Sequence, residues 1–259
     1  MVQNKVYKQI LKKISEKGGL CFTVIDPPNQ EAVVAGKIGK MAEEAGIDAI
    51  AVGGSVGAQG EILDSTILQV KDNCSLPVIL FPGNIASISK HADAMYFMSL
   101  LNSNDPYYIS GAQIASAAPV KKINIEVIPT SYILVEPGRA VGWVGKAQLI
   151  PRNLPYLAGV TALAGQYMGS KLAILESGGG APEPVTKEMI AYTKKLIDIP
   201  LLIAGGVRNE KYAYDCISSG ADIIHVGTAV ENISTDFSKT KELMQKLAKA
   251  VAKAGKEKS

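Results

Sequence analysis

Eight short apolar runs, each closed by Gly, Pro, Asp or Asn, recur along this chain, and most are separated by enough residues for a helix. They are LCFTVIDP from Leu20, DAIAVGGS from Asp48, PVILFPGN from Pro77, AMYFMSLLNS from Ala94, INIEVIPTSYILVEPG from Ile123, KLAILESGGG from Lys171, PLLIAGG from Pro200 and DIIHVGT from Asp222. The runs are continuously apolar rather than alternating, the signature of strands buried on both faces of a parallel sheet. Amphipathic stretches lie between them, among them residues 30–45, 154–168, 186–197 and 210–219. Eight such units close most simply into a modified α/β (β/α)8 TIM-type barrel, with a doubly wound open sheet as the alternative. Residues 82–93 leave room for barely two helical turns, so one outer helix is expected to be missing or replaced. The 259 residues suit one barrel domain spanning 1–259, and no linker or repeat divides them.

A net charge of +3, with no basic patch interleaved with aromatics, argues against a nucleic-acid partner. No apolar run approaches the ~20 residues that span a bilayer. The opening MVQNKVYKQILKKISEKGG reads as an amphipathic helix rather than a cleaved leader, which predicts a cytoplasmic protein. The lysine-rich ending, KTKELMQKLAKAVAKAGKEKS, predicts an outer helix with a wet face, or a transient membrane-surface contact. Cys21, Cys74 and Cys216 have no metal-site spacing and are odd in number, so they are expected to be buried free thiols.

In such a barrel the chemistry lies where strands end, and phosphate is held by the loops after the last strands. Here three neighbouring strand ends carry glycines: Glu176, Ser177, Gly178, Gly179, Gly180 after the sixth, Gly205 and Gly206 after the seventh, Gly227 and Thr228 after the eighth. Strand-to-helix turns use glycine for geometric reasons alone, but turn geometry does not demand glycine pairs three times over. The clusters therefore point to a phosphate-bearing substrate. Neither a P-loop nor a dinucleotide fingerprint is present, so no nucleotide is implied.

Glu176 ends the sixth run and is placed to accept a proton from a hydroxyl of that substrate, although strand-end acids also serve in structural ion pairs. Asp26 ends the first run and Ser55 follows the second; together they can hold a hard cation such as Mg²⁺ completed by substrate phosphates, while a turn role for Asp26 stays open. His91 reads as a residue of an exposed turn and His225 as a core histidine.

FPGN at 81–84, ADAMYFMSLLNS at 92–103, the following NDPYYISGAQ, VEPGRAVGWVG, LESGGGAPEPV and AGGVRN, in this order, resemble the archaeal geranylgeranylglyceryl phosphate synthase family, which also includes bacterial heptaprenylglyceryl phosphate synthases. The resemblance runs from about residue 22 to 229. It implies a Mg²⁺-dependent prenyltransferase on a modified barrel. The reaction joins the 3-hydroxyl of sn-glycerol 1-phosphate to geranylgeranyl diphosphate in archaeal membrane lipid synthesis. It assigns Asp26 and Ser55 to Mg²⁺. It assigns Ile174, Leu175, Glu176, Ser177, Gly178, Gly179 and Gly180, with Gly205, Gly206, Gly227 and Thr228, to glycerol phosphate, Glu176 being the acid at the glycerol hydroxyl. The family usually has serine where this chain has Gly179 and asparagine where it has Thr228.

A C20 tail needs an apolar trough. The helix expected over 109–120, with Tyr107, Tyr108, Gly111, Ala112 and Ala115, offers one, and tight packing on the barrel explains the same small residues equally well. Arg208 and Lys146 are the candidate partners of the diphosphate. Trp143, in a glycine-rich stretch, is expected to be mobile or at an interface, and the resemblance implies a homo-oligomer, dimer or hexamer. A phosphosugar isomerase or aldolase on the same barrel competes, but no lysine ends an inner strand, Lys37 and Lys40 lying on a helix. A non-catalytic phospholigand-binding barrel is the third reading.

Overall fold

A computed structural model describes residues 4–231 and 236–258. Eight parallel strands close into a barrel in sequence order: β1 Leu20–Ile25, β2 Ala49–Gly53, β3 Val78–Phe81, β4 Ala94–Leu100, β5 Glu126–Leu134, β6 Leu172–Glu176, β7 Leu201–Ala204 and β8 Ile223–Val226. Each predicted run holds one strand. β1 pairs with β8 through Phe22 opposite His225, which seals the ring and rules out the open sheet.

The period of two sorts every strand into inward and outward residues. Leu20, Phe22, Ala49, Ala51, Ile79, Tyr96, Ile128, Ile174 and Leu202 fill the inside of the barrel, while Cys21, Ile50, Leu80, Leu175 and Ile203 pack outward against the helices. The helix Lys5–Lys17 closes the end where strands begin. Its Val6 and Ile10 join the inner cluster, and the N–H groups of Val6 and Tyr7 donate to the two oxygens of Glu126 at 2.9 and 2.8 Å. With that end plugged, the opposite end is the mouth.

Outer helices follow the expected stretches: Ala32–Ala45, Pro155–Tyr167, Lys187–Leu196, Glu210–Ser218 and the long Phe237–Lys258. Helix Lys187–Leu196 starts where Thr186 accepts from the N–H of Met189, and Glu210–Ser218 where Asn209 accepts from Tyr212, capping bonds that satisfy amides the helix itself cannot. A further helix, Gly60–Asn73, lies between β2 and β3. Between β3 and β4 no helix forms: residues 82–93 pass from one strand to the next in turns and bends. Cys21 and Cys216 are buried free thiols; Cys74, at the helix end facing Gly39, is only half-buried.

Candidate active site

One cavity of about 550 Å³ occupies the mouth. Its floor is aromatic. Phe81 meets Tyr96, Tyr132 and His225 edge-on, with ring centroids 5.7, 5.7 and 5.3 Å away. His225 Nε2 lies 3.1 Å from the Tyr96 hydroxyl, while Nδ1 is buried without a partner. Burial pushes the imidazole down to about 3, so it stays neutral across the physiological range, the core histidine expected.

Above the floor stand two acids, placed by strand periodicity. Inward Leu172 and Ile174 are followed on β6 by Glu176, and inward Phe22 and Val24 on β1 by Asp26 just past its end. Glu176 is 5% exposed, and its Oε1 accepts from the N–H of Gly178 at 2.7 Å. Burial raises its carboxyl to about 7 against the weaker opposite pull of that bond. Among the described residues no cation pairs with it, so the structural ion-pair reading fails.

Asp26 is raised to about 7 as well, by burial first and then by the charge of Glu231. Glu231, at the end of the turn Thr228–Glu231 after β8, reaches across to β1. Its Oε1 accepts from the N–H of Asp26 at 3.0 Å and its Oε2 from Asn29 Nδ2 at 3.2 Å. Asp26 Oδ1 is buried with no hydrogen-bond partner, and a Cβ on Gly54 would sit 2.1 Å from it. A bare, buried carboxyl oxygen facing the charge of Glu231, with Ser55 lining the same cavity, packed where only glycine fits, suits a hard cation.

The glycine loops enclose the other side. Gly205 and Gly206 have φ of +77° and +76°; a Cβ on Gly206 would come within 2.2 Å of the Glu183 carbonyl, so the loop after β6 folds tightly onto the one after β7. Arg208 donates to the carbonyls of Gly180 and Ala181 and holds that loop in place. The N–H groups of Gly179, Gly180 and Gly206 donate to no acceptor among the described residues, and all three residues line the cavity. Gly227 and Thr228 line it from β8.

Not every residue assigned to the phosphate faces the cavity. Ile174 belongs to the inner core and Leu175 to the outer, both fully buried; Ser177 is fully buried, and the amide of Gly178 is spent on Glu176. Ile174 and Leu175 lie within β6, Ser177 and Gly178 shape the loop after it, and none of the four faces the cavity. Of the trough residues, Tyr107, Tyr108 and Ala112 line the cavity, but Gly111 and Ala115 do not. The segment opens as a π-helical turn, Tyr107–Gly111, and continues as the helix Ala112–Ile123. Helical spacing then turns Ala112, Gln113 and Ser116 inward and leaves Ile114 75% exposed and Ala115 outside. Ile88, Met95, Phe97 and Met98 complete an apolar groove that leaves the mouth on the side where no helix follows β3.

Lys146 is outside the cavity, bonded to Asp105 at 2.7 Å. Arg139 is a lining cation that the sequence reading missed. It ends the EPGR segment after β5, and applying the strand-end rule to charges as well as to glycines would have found it. Trp143 is 84% exposed, on the short helix Arg139–Val144.

Residues 12–249 match the model of the PcrB family. The geranylgeranylglyceryl phosphate synthase of Pyrococcus horikoshii is 55% identical over 227 residues, covering 88% of this chain and 89% of that protein. That of Thermococcus kodakarensis is 49% identical over 247 residues, covering 95% and 97%. The crystal structure of (S)-3-O-geranylgeranylglyceryl phosphate synthase from Thermoplasma acidophilum, in complex with its substrate sn-glycerol-1-phosphate, superposes with a TM-score of 0.90 at 36% identity, covering 96% of this chain and 98% of that one.

Proposed function

The chain belongs to the PcrB family, and on that premise we propose that it is a prenyltransferase that joins the 3-hydroxyl of sn-glycerol 1-phosphate to geranylgeranyl diphosphate, an ether-forming step of membrane lipid synthesis. The observation that carries the reading is the cavity's division of labour: unpartnered amides of Gly179, Gly180 and Gly206 on one wall, Glu176 between, and an apolar groove leading out.

The glycerol phosphate sits with its anion on those amides, which need no reorganisation to receive it. Its hydroxyl then faces Glu176. The diphosphate lies near Asp26 and Ser55 with the tail along Ala112, Ser116 and Phe97. As the bond from C1 of the donor to the diphosphate oxygen breaks and the bond from C1 to the glycerol oxygen forms, Glu176 takes the hydroxyl proton. Mg²⁺ held by Asp26, with Ser55 and Glu231 around it, would offset the negative charge gathering on the leaving diphosphate. A carboxyl that ionises near 7 suits the proton's path, since it takes the proton at neutral pH and returns it to solvent after product leaves.

Lys37 and Lys40 lie on the helix Ala32–Ala45, and no lysine lines the cavity among the described residues, which disfavours a Schiff-base aldolase. The exposed Trp143, with Tyr156 at 58% and Tyr192 at 39%, fits burial in a homo-oligomer. Incubation with sn-glycerol 1-phosphate, labelled geranylgeranyl diphosphate and Mg²⁺ should give an organic-extractable ether that chelator suppresses. No such product at any Mg²⁺ concentration would reject the reading for this donor.

A further inference from the structure

We infer that Arg139 is the side chain that recognises the charge of the acceptor's phosphate, a specificity-determining residue added to the amide cradle; the inference rests on the reading that this cavity takes glycerol phosphate. Two arginines line the cavity among the described residues. Arg208 is committed to the carbonyls of Gly180 and Ala181. Among the described residues Arg139 has neither an ion-pair partner nor a hydrogen-bond acceptor for its guanidinium.

Its position is built rather than incidental. The N–H of Gly138 donates to the carbonyl of Ser177 at 3.0 Å, which stitches the loop after β5 to the loop after β6. A Cβ on Gly178 would lie 2.5 Å from the Gly138 oxygen and 2.8 Å from the Cβ of Arg139, so the two loops touch backbone to backbone. At this seam Arg139 itself holds φ +51°, a left-handed conformation that long side chains rarely adopt. Glycine would satisfy that backbone without strain. The arginine keeps it, and its Nη2 comes 3.9 Å from the point where a Cβ on Gly180 would project, beside the free amides and Thr228. A planar guanidinium there can add charge-assisted bonds to a phosphate already gripped by amides.

The test separates the phosphate of the acceptor from that of the donor. For R139A, the Kd for sn-glycerol 1-phosphate measured by calorimetry without donor, and its KM in turnover, should rise about 10- to 100-fold, with the KM for geranylgeranyl diphosphate within about twofold. R139K should recover part of the loss, and the gap between wild type and R139A should narrow as salt is raised. R139G checks that the effect is charge and not backbone strain: it should be at least as stable as wild type yet bind as weakly as R139A. Unchanged acceptor affinity in folded R139A and R139G, or a rise confined to the donor's KM, overturns the inference while leaving the proposed function standing. Wild type that binds no glycerol phosphate overturns both.

Discussion

The backbone N–H of Gly178 points back at Oε1 of Glu176, two residues earlier, across 2.7 Å. That single bond favours the carboxylate, burial favours the acid, and burial wins, holding the group near 7.

Turnover should therefore follow the ionised form of Glu176. At saturating Mg²⁺, which keeps Asp26 ionised, kcat/KM should rise about tenfold per pH unit below 7 and level off above it, and E176Q should lose about 10²- to 10⁴-fold in kcat with acceptor affinity little changed. A pH profile flat from 5 to 8 would remove Glu176 as the base.

The same residue should cost stability. Its folded pKa lies above the ordinary 4.5, so the fold holds the proton more tightly than the unfolded chain does, and stability falls as pH climbs from about 4.5 to about 7. E176Q removes this penalty, at most roughly 3 kcal/mol. Thermal melts should show E176Q gaining on wild type at pH 8 and not at pH 4.5.

Asp26 should govern the cation. Added Mg²⁺ should raise the melting temperature of wild type at pH 8 and do less at pH 6, because protons compete for a carboxyl raised to about 7. D26N should abolish the shift. An undiminished Mg²⁺ shift in D26N would place the cation elsewhere.

Two glycines of the cradle should differ in their tolerance of a side chain. A Cβ on Gly206, at φ +76°, collides with the backbone of Glu183 at 2.2 Å, so Gly206→Ala should lose about 1–3 kcal/mol of stability and weaken acceptor binding. A Cβ on Gly179 meets nothing closer than Thr228 Oγ1 at 3.9 Å. Gly179→Ser should keep the wild-type melting temperature, which reconciles this chain with the serine expected there.

Ser116 faces the groove from the helix Ala112–Ile123. Ser116→Phe should cut kcat/KM for the C20 donor by about tenfold or more while leaving a C10 donor within about threefold. Equal losses for both would mean that the tail runs elsewhere.

The strands were legible because a strand buried on both faces must be a continuous apolar run, and each such run ended in a residue that cannot prolong it. Asp26 and Glu176 were legible for the same reason, as charges set directly after apolar series. The groove was less so. A run of small residues says that something packs closely but not on which side, and only the helix phase, fixed by the π-helical turn before Ala112, turned Ser116 inward and Ala115 out. Arg139 and Glu231 depend on contacts between segments distant in sequence: β5 loop to β6 loop, and β8 turn to β1 end. Lys146 looked available as a cation, yet Asp105, 41 residues away, holds it.

β3 and β4 meet only where Ile79 faces Ala94 and Leu80 faces Met95, whereas β4 runs beside β5 from Ala94 all the way to Leu100. Beyond Met95, then, β4 has a companion on one flank alone, just where the outer helix is missing. Phe97 and Met98, β4 residues just past the last β3 pair, line the cavity on that flank. On the proposed reading a donor tail leaves the barrel along this flank, past β4 and not through the packed interior.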